Sequence, residues 1–229
     1  MKKTIITLLA LAGVAAADEV MPITLTATFN DEKTATFNLD DFKVTALTLV
    51  NTADDTVLNS MAATENDIMP DRLRPNINVD SGNSWTLDFT VSNSGANDLT
   101  VNSITLSAFA FNGSGDVQAN NRNFLFTVSA GDTEIATDEN LYIAGNSSNG
   151  QSLTITLTDS LTIAAKDSMT FSIMVEQGAN ATNAEGVGRG AYLGLNTVTF
   201  NGTMPVPEPT TATLSLLALA GLAARRRRK

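Results

Sequence analysis

The chain contains no cysteine and no histidine. Without cysteine there is no disulfide, no thiol nucleophile and no thiolate metal site. Without histidine, the usual general base at neutral pH and the commonest zinc ligand are both missing. Bases are scarce as well: between residues 18 and 224 there are seven Lys and Arg against 24 Asp and Glu, a net charge of −17. Such a surface repels phosphate backbones, which argues against a nucleic-acid partner. Aromatics number only 13, so few platforms for stacking a sugar ring are available.

The sparse bases are unevenly placed. Lys2 and Lys3 precede an apolar run over residues 4–14, and Ala15, Ala16 and Ala17 follow it. A positive start, an apolar centre too short for a good membrane span and an A-x-A end make a secretory signal peptide over residues 1–17. Ala15 and Ala17 are its small recognition residues, and cleavage is expected before Asp18. The expected partners at this end are the export machinery and signal peptidase.

At the other end Pro205, Pro207 and Pro209 alternate, which forbids helix and keeps the stretch extended. Residues 210–224 then carry no charge and are rich in Leu and Ala. As a helix they rise about 22 Å, short of the ~30 Å hydrocarbon core, so they form a marginal transmembrane span. Arg225, Arg226, Arg227, Arg228 and Lys229 close the chain and would be held in the cytoplasm. With lysines starting inside at the other end, the body between them is expected outside the cell.

The order Pro207-Glu208-Pro209, short apolar helix, basic cluster resembles the PEP-CTERM sorting signal. The resemblance covers residues 205–229 alone. It implies an exosortase-like membrane protease that acts near Pro207, Glu208 and Pro209, and a passenger exported across the inner membrane. After transient anchoring, that passenger would lie at the cell surface or outside. Bacteria with such tails often make exopolysaccharide, so an extracellular polysaccharide is the implied partner of the passenger. The tail is an address and not an activity.

Residues 18–204 make the passenger, and their apolar residues recur with period 2. Ile23, Leu25, Ala27 and Phe29 alternate with threonines, as do Leu153, Ile155 and Leu157. Trp85, Leu87, Phe89 and Val91 repeat the pattern, and so do Met169, Phe171, Ile173 and Val175. Each segment predicts a strand with one buried and one wet face, where Thr fits well. Weaker strands are expected at 34–39, 42–50, 99–111, 123–128, 141–143 and 192–200. Residues 54–75, with Ala, Met, Glu, Asn and two prolines, predict a loop with one helical turn.

Ten or so short strands predict an all-β fold: an antiparallel two-sheet sandwich, jelly-roll-like because the count exceeds seven, with an immunoglobulin-like arrangement as alternative. Trp85, Leu87, Phe89, Leu106, Ile155, Phe171 and Ile173 are the expected core.

Motifs of chemistry are few. Residues 186–191 match G-x-G-x-x-A by letter, but a polar loop precedes them and a strand follows, so they predict a β–β loop. No Ser-x-x-Lys pair and no G-x-S-x-G elbow is present, so catalytic and cofactor-binding residues are expected to be absent. Acid clusters at 67–71 and 132–140 offer oxygen ligands of the kind calcium takes, the one candidate ion. Four N-x-[ST] sequons, at Asn112, Asn146, Asn180 and Asn201, predict turns. Tyr192, beside the glycine-rich loop, is the aromatic singled out for a sugar ring.

The sequence thus predicts a non-enzymatic surface or matrix protein. A carbohydrate-binding module or adhesin is the first alternative. A carboxylate-based glycan hydrolase or lyase, which needs a cleft with paired carboxyls, is the second.

Overall fold

A computed structural model describes residues 20–30, 32–61, 72–80, 82–147, 150–178 and 191–206. The expected signal peptide and the apolar segment 210–224 lie outside the described residues. One compact unit spans Pro22–Met204.

Among the described residues ten strands run in chain order: β1 Val20–Phe29, β2 Ala35–Phe37, β3 Phe42–Asn51, β4 Trp85–Asn93, β5 Leu99–Phe111, β6 Arg122–Ala130, β7 Thr133–Ile143, β8 Gln151–Ile163, β9 Ser168–Gln177 and β10 Tyr192–Pro205. No described residue is helical. The strands form two five-stranded antiparallel sheets, β2-β1-β10-β5-β8 and β3-β4-β9-β6-β7.

Alternation decides the faces. In β4, Trp85, Leu87, Phe89 and Val91 are buried, while Thr86, Asp88, Thr90 and Ser92 between them are partly open to solvent. The inner faces meet through rings from both sheets. Phe29 stands edge-on to Phe89, with centroids 5.7 Å apart, and Phe200 meets Phe171 at 4.8 Å. All seven expected core residues are buried.

Three expectations need correction. The acid cluster at 132–140 is not a loop: its residues from Thr133 onward form most of β7, an edge strand whose carboxylates face water. Edge strands carry such charges because an unpaired edge otherwise templates aggregation. A charged, unburied strand has no apolar alternation, so its first eight residues left no period-2 trace.

Second, β10 does not stop near Asn201. A bulge at Asn102 of β5 shifts the register, and pairing continues with Gly202 opposite Val101 and Thr203 opposite Thr100. The sequon at Asn201 therefore lies within a strand, whereas Asn112 and Asn146 do sit at turns.

Third, the described parts of 54–75 bridge neighbouring chain: Val57 pairs with Val50 and Pro75 with Ser60. Beyond Phe29, residues 72–80 lie along β10, with Leu73 bridging Leu195 and Val79 bridging Ala191. The expected helical turn can fall only in residues 62–71, outside the described residues.

Candidate functional site

Three surfaces of the sandwich bear on function. The first is a groove on the flank where the edge strands β7 and β8 approach. It has a volume of about 180 Å³ and is lined by Thr133, Glu134, Ile135, Leu157, Thr158, Asp159 and Leu161. A bulge creates it: Leu161 pairs with Val101 and Thr156 with Ser103, so residues 157–160 of β8 oppose Asn102 alone. Extra residues in one strand bend it and re-aim its side chains, which here turns Leu157 and Asp159 toward the start of β7. Glu134 and Asp159 give the groove two carboxylates.

The second is an aromatic and arginine cluster on the outward face of the β5–β10 pair. Phe109 and Phe111 are buried but lie outside the main core. Their rings sit 5.6 Å apart, and Tyr192, half-buried, packs on Phe111 at 5.3 Å. Arg72 and Arg74 flank Leu73, so alternation sends Leu73 into the core and both guanidiniums to the other side. Their Cζ atoms lie 4.6 and 5.9 Å from the centre of the Phe109 ring. Gly194 makes this possible, because a Cβ there would stand 2.4 Å from Phe109 Cζ and 2.6 Å from Leu73 O. Burial lowers the Arg72 pKa from its ordinary value, since desolvation disfavours the charged form. The ring face in turn favours the cation. Arg74 is only 1% exposed, so this cluster is chiefly a packing element.

The third surface is the rest of that same outward face. Thr26 and Thr199 share a hydrogen bond of 3.2 Å, as do Thr105 and Thr154 at 3.0 Å. In the next row Thr24 donates to Asn201 Oδ1 at 3.4 Å, and Asn201 Nδ2 donates to Ser103 at 3.3 Å. Hydroxyls and amides thus cross four strands, β1, β10, β5 and β8, in ladders.

Tyr192 is the one residue proposed from sequence for a sugar ring, and it falls on this face. Pro207, Glu208 and Pro209, the cleavage residues Ala15, Ala17 and Asp18, the terminal Arg225 to Lys229, the acids at 67–71 and the loop 186–190 all lie outside the described residues. Among the described residues no three acidic side chains are grouped so as to hold a metal ion. Sequence reasoning missed Arg72 and Arg74, although the alternation Arg-Leu-Arg before a proline was the available signal. It also missed that Glu134 and Asp159 line one groove, which depends on a bulge with no composition of its own.

Residues 205–229 match the PEP-CTERM protein-sorting motif. A PEP-CTERM tail marks an exported chain with a membrane-anchored C-terminal sorting signal and an exosortase-type processing partner. The match covers the tail alone and leaves the sandwich unassigned. Among the described residues no helix is long and apolar enough to cross a membrane.

No curated protein matches the chain. Among solved structures, it resembles a CBM35 from Paenibacillus barcinonensis at 11% identity and a TM-score of 0.29, over 76% of this chain and 96% of that one. It also resembles an arabinose-bound MgGH51 α-L-arabinofuranosidase at 13% identity and a TM-score of 0.29, over 77% of this chain and 26% of that one. At TM-scores this low neither likeness bears on what the sandwich binds.

Proposed function

We propose that the chain is a cell-surface or matrix protein delivered through its PEP-CTERM tail, and that the sandwich works without catalysis as a structural or polysaccharide-associated module. The match at residues 205–229 carries the delivery half of this reading. The strand order supports treating the sandwich as a jelly roll. With β2 and β3 set aside, the sheets are β1-β10-β5-β8 and β4-β9-β6-β7, in which the first long strand lies beside the last. That is the eight-stranded double Greek key, whereas an immunoglobulin sandwich pairs its first strand with its second.

The tail acts as a removable signal on this reading. Its apolar run is short for a stable span, and the alternating prolines present an extended segment to a membrane protease. Mass spectrometry of the protein from its native host should find the peptide ending at Lys229 missing from most molecules. Replacing Glu208 should block that processing and leave the sandwich folded. If most wild-type molecules keep the peptide through Lys229, the chain is instead a permanent tail-anchored protein.

Catalysis is expected to be absent. The flank groove is where the alternative would reside, since a glycosidase needs two carboxyls across a cleft and Glu134 and Asp159 line this one. Incubating the processed protein with a panel of polysaccharides should release no reducing ends. Turnover that disappears with Glu134→Gln or Asp159→Asn would overturn the non-enzymatic reading.

A further inference from the structure

We propose that residues 202–205, the end of β10, are a latch on sorting: they must peel from the sheet before the tail protease can take up Pro207, Glu208 and Pro209. The proposal rests on the removable-signal reading above and says what controls access to that same segment.

The place of β10 is the first argument. It is the middle strand of its sheet, with β1 on one side and β5 on the other. Its pairing with β5 runs to Thr203 opposite Thr100. On the β1 side, Thr26 bonds Thr199 and Thr24 bonds Asn201, a register that brings Pro22 opposite Thr203. Both edges of the strand are therefore occupied almost to its end. A protease that reads an extended segment as an added strand grips it by those same backbone edges.

Reach is the second. Met204 is buried in the core, and Val206 alone separates the end of β10 from Pro207. Three extended residues span at most about 10–11 Å, so Pro207 lies within that distance of the Met204 anchor. The sheet that holds the anchor is about 20 Å wide, with five strands about 4.8 Å apart. A rim also surrounds the exit. Since Thr100 lies opposite Thr203, the loop 94–98 that leads into β5 runs past the level of Met204. Asn93 Nδ2 donates to the carbonyls of Asn97 and Ile163 at 2.9 and 3.2 Å, and Ala165 N donates to Asp98 Oδ1 at 2.8 Å. These bonds tie that loop to the turn after β8. A bulky enzyme meets this rim before it meets residues 202–205.

The third argument is that the stretch comes away as a unit. The bulge at Asn102 of β5 interrupts the ladder between Asn201 and Gly202. Beyond it lie a glycine, a half-exposed threonine, Met204, and a proline with no N–H to donate. Of these four residues only Met204 is buried. Strand ends held this lightly open at a small fraction of the global stability.

The test is a pulse-chase in the native host that follows loss of the peptide ending at Lys229 by mass spectrometry. Thr100→Cys with Thr203→Cys puts thiols on directly opposed residues of a chain with no other cysteine. Closed as a disulfide in the oxidising envelope, the pair should slow processing about tenfold or more, and reductant should restore it. A Gly/Ser spacer of about six residues after Val206 adds about 13 Å of coil. It should speed processing of the native chain and rescue the locked one. Met204→Ala, which removes the anchor, should speed processing several-fold. Ile143→Ala empties a buried site in β7 of the opposite sheet and should leave the rate unchanged. Thermal unfolding shows that each variant is folded, and the disulfide and spacer decide should Met204→Ala misfold.

Processing of the locked protein at the wild-type rate would overturn the latch while sparing the removable tail. Equal acceleration by Ile143→Ala and Met204→Ala would do the same, since global loosening would then explain both. Should the disulfide fail to close, the spacer decides alone, and an unchanged rate with it would overturn the latch. A wild type that keeps its peptide through Lys229 would sink both readings.

Discussion

Trp85→Ala should destabilise the sandwich by about 3–5 kcal/mol, the range for truncating a buried large aromatic. Trp85 opens β4 and is fully buried, hydrogen-bonded along the ladder between Asn51 of β3 and Val175 of β9. Its removal leaves a cavity in the middle of a sheet, where backbone pairing on both sides limits collapse. The indole N–H finds no acceptor among the described residues, so the contribution of this side chain is volume and not a hydrogen bond. Trp85→Phe should therefore cost much less than Trp85→Ala, since it removes an unpaired buried donor along with part of the volume. Urea titration of the three proteins checks this. Equal losses for Phe and Ala would mean that the N–H has a partner and that hydrogen bonding, not packing, holds this position.

The half-buried strands were legible because one physical constraint, a dry face against a wet one, writes itself into every second residue. For Trp85, Phe89, Phe171 and Ile173 burial follows from alternation alone. Where that constraint lapses, so does the signal. β7 is an edge strand with solvent on most of its length, and its acids look like a loop in sequence while behaving as a strand in space. The order of strands within each sheet is set by long-range pairing, and no local pattern encodes that β1 lies beside β10.

The same division applies to the candidate surfaces. Tyr192 could be singled out as an aromatic beside a glycine-rich loop. The ladder Thr26–Thr199–Thr105–Thr154 could not, since its members are brought together from four strands spread over most of the chain. That the strands of one sheet carry a single charged side chain, Asp159, was likewise invisible in a composition dominated by acids until the topology sorted the strands. The sorting motif of the tail was readable, because an address recognised as an extended segment, an apolar run and a basic end is a local pattern.

Gly202→Ala should produce the second large loss, about 1–3 kcal/mol or more, as overpacking in a closed space does. A Cβ at this position would lie 1.9 Å from the carbonyl oxygen of Thr100 and 2.8 Å from its carbon. Both are backbone atoms of β5, which is held by β10 on one side and β8 on the other, so no flexible side-chain end can move aside. Relief requires β10 to lift off β5, which breaks the pairing of Thr203 with Thr100 just beyond the bulge. It also tilts Asn201, whose amide ties β10 to Ser103 and to Thr105 on the outward face. A loss of this size should lower the melting midpoint by about 2–4 °C per kcal/mol in a domain of this length. Gly82→Ala supplies the control, because the nearest atom to its added Cβ is a carboxylate oxygen of Asp80 at 3.9 Å. Matching melts for Gly202→Ala and wild type would show that Gly202 does not sit against the Thr100 carbonyl here, and the register that sets Asn201 and Thr203 on the face would have to be redrawn.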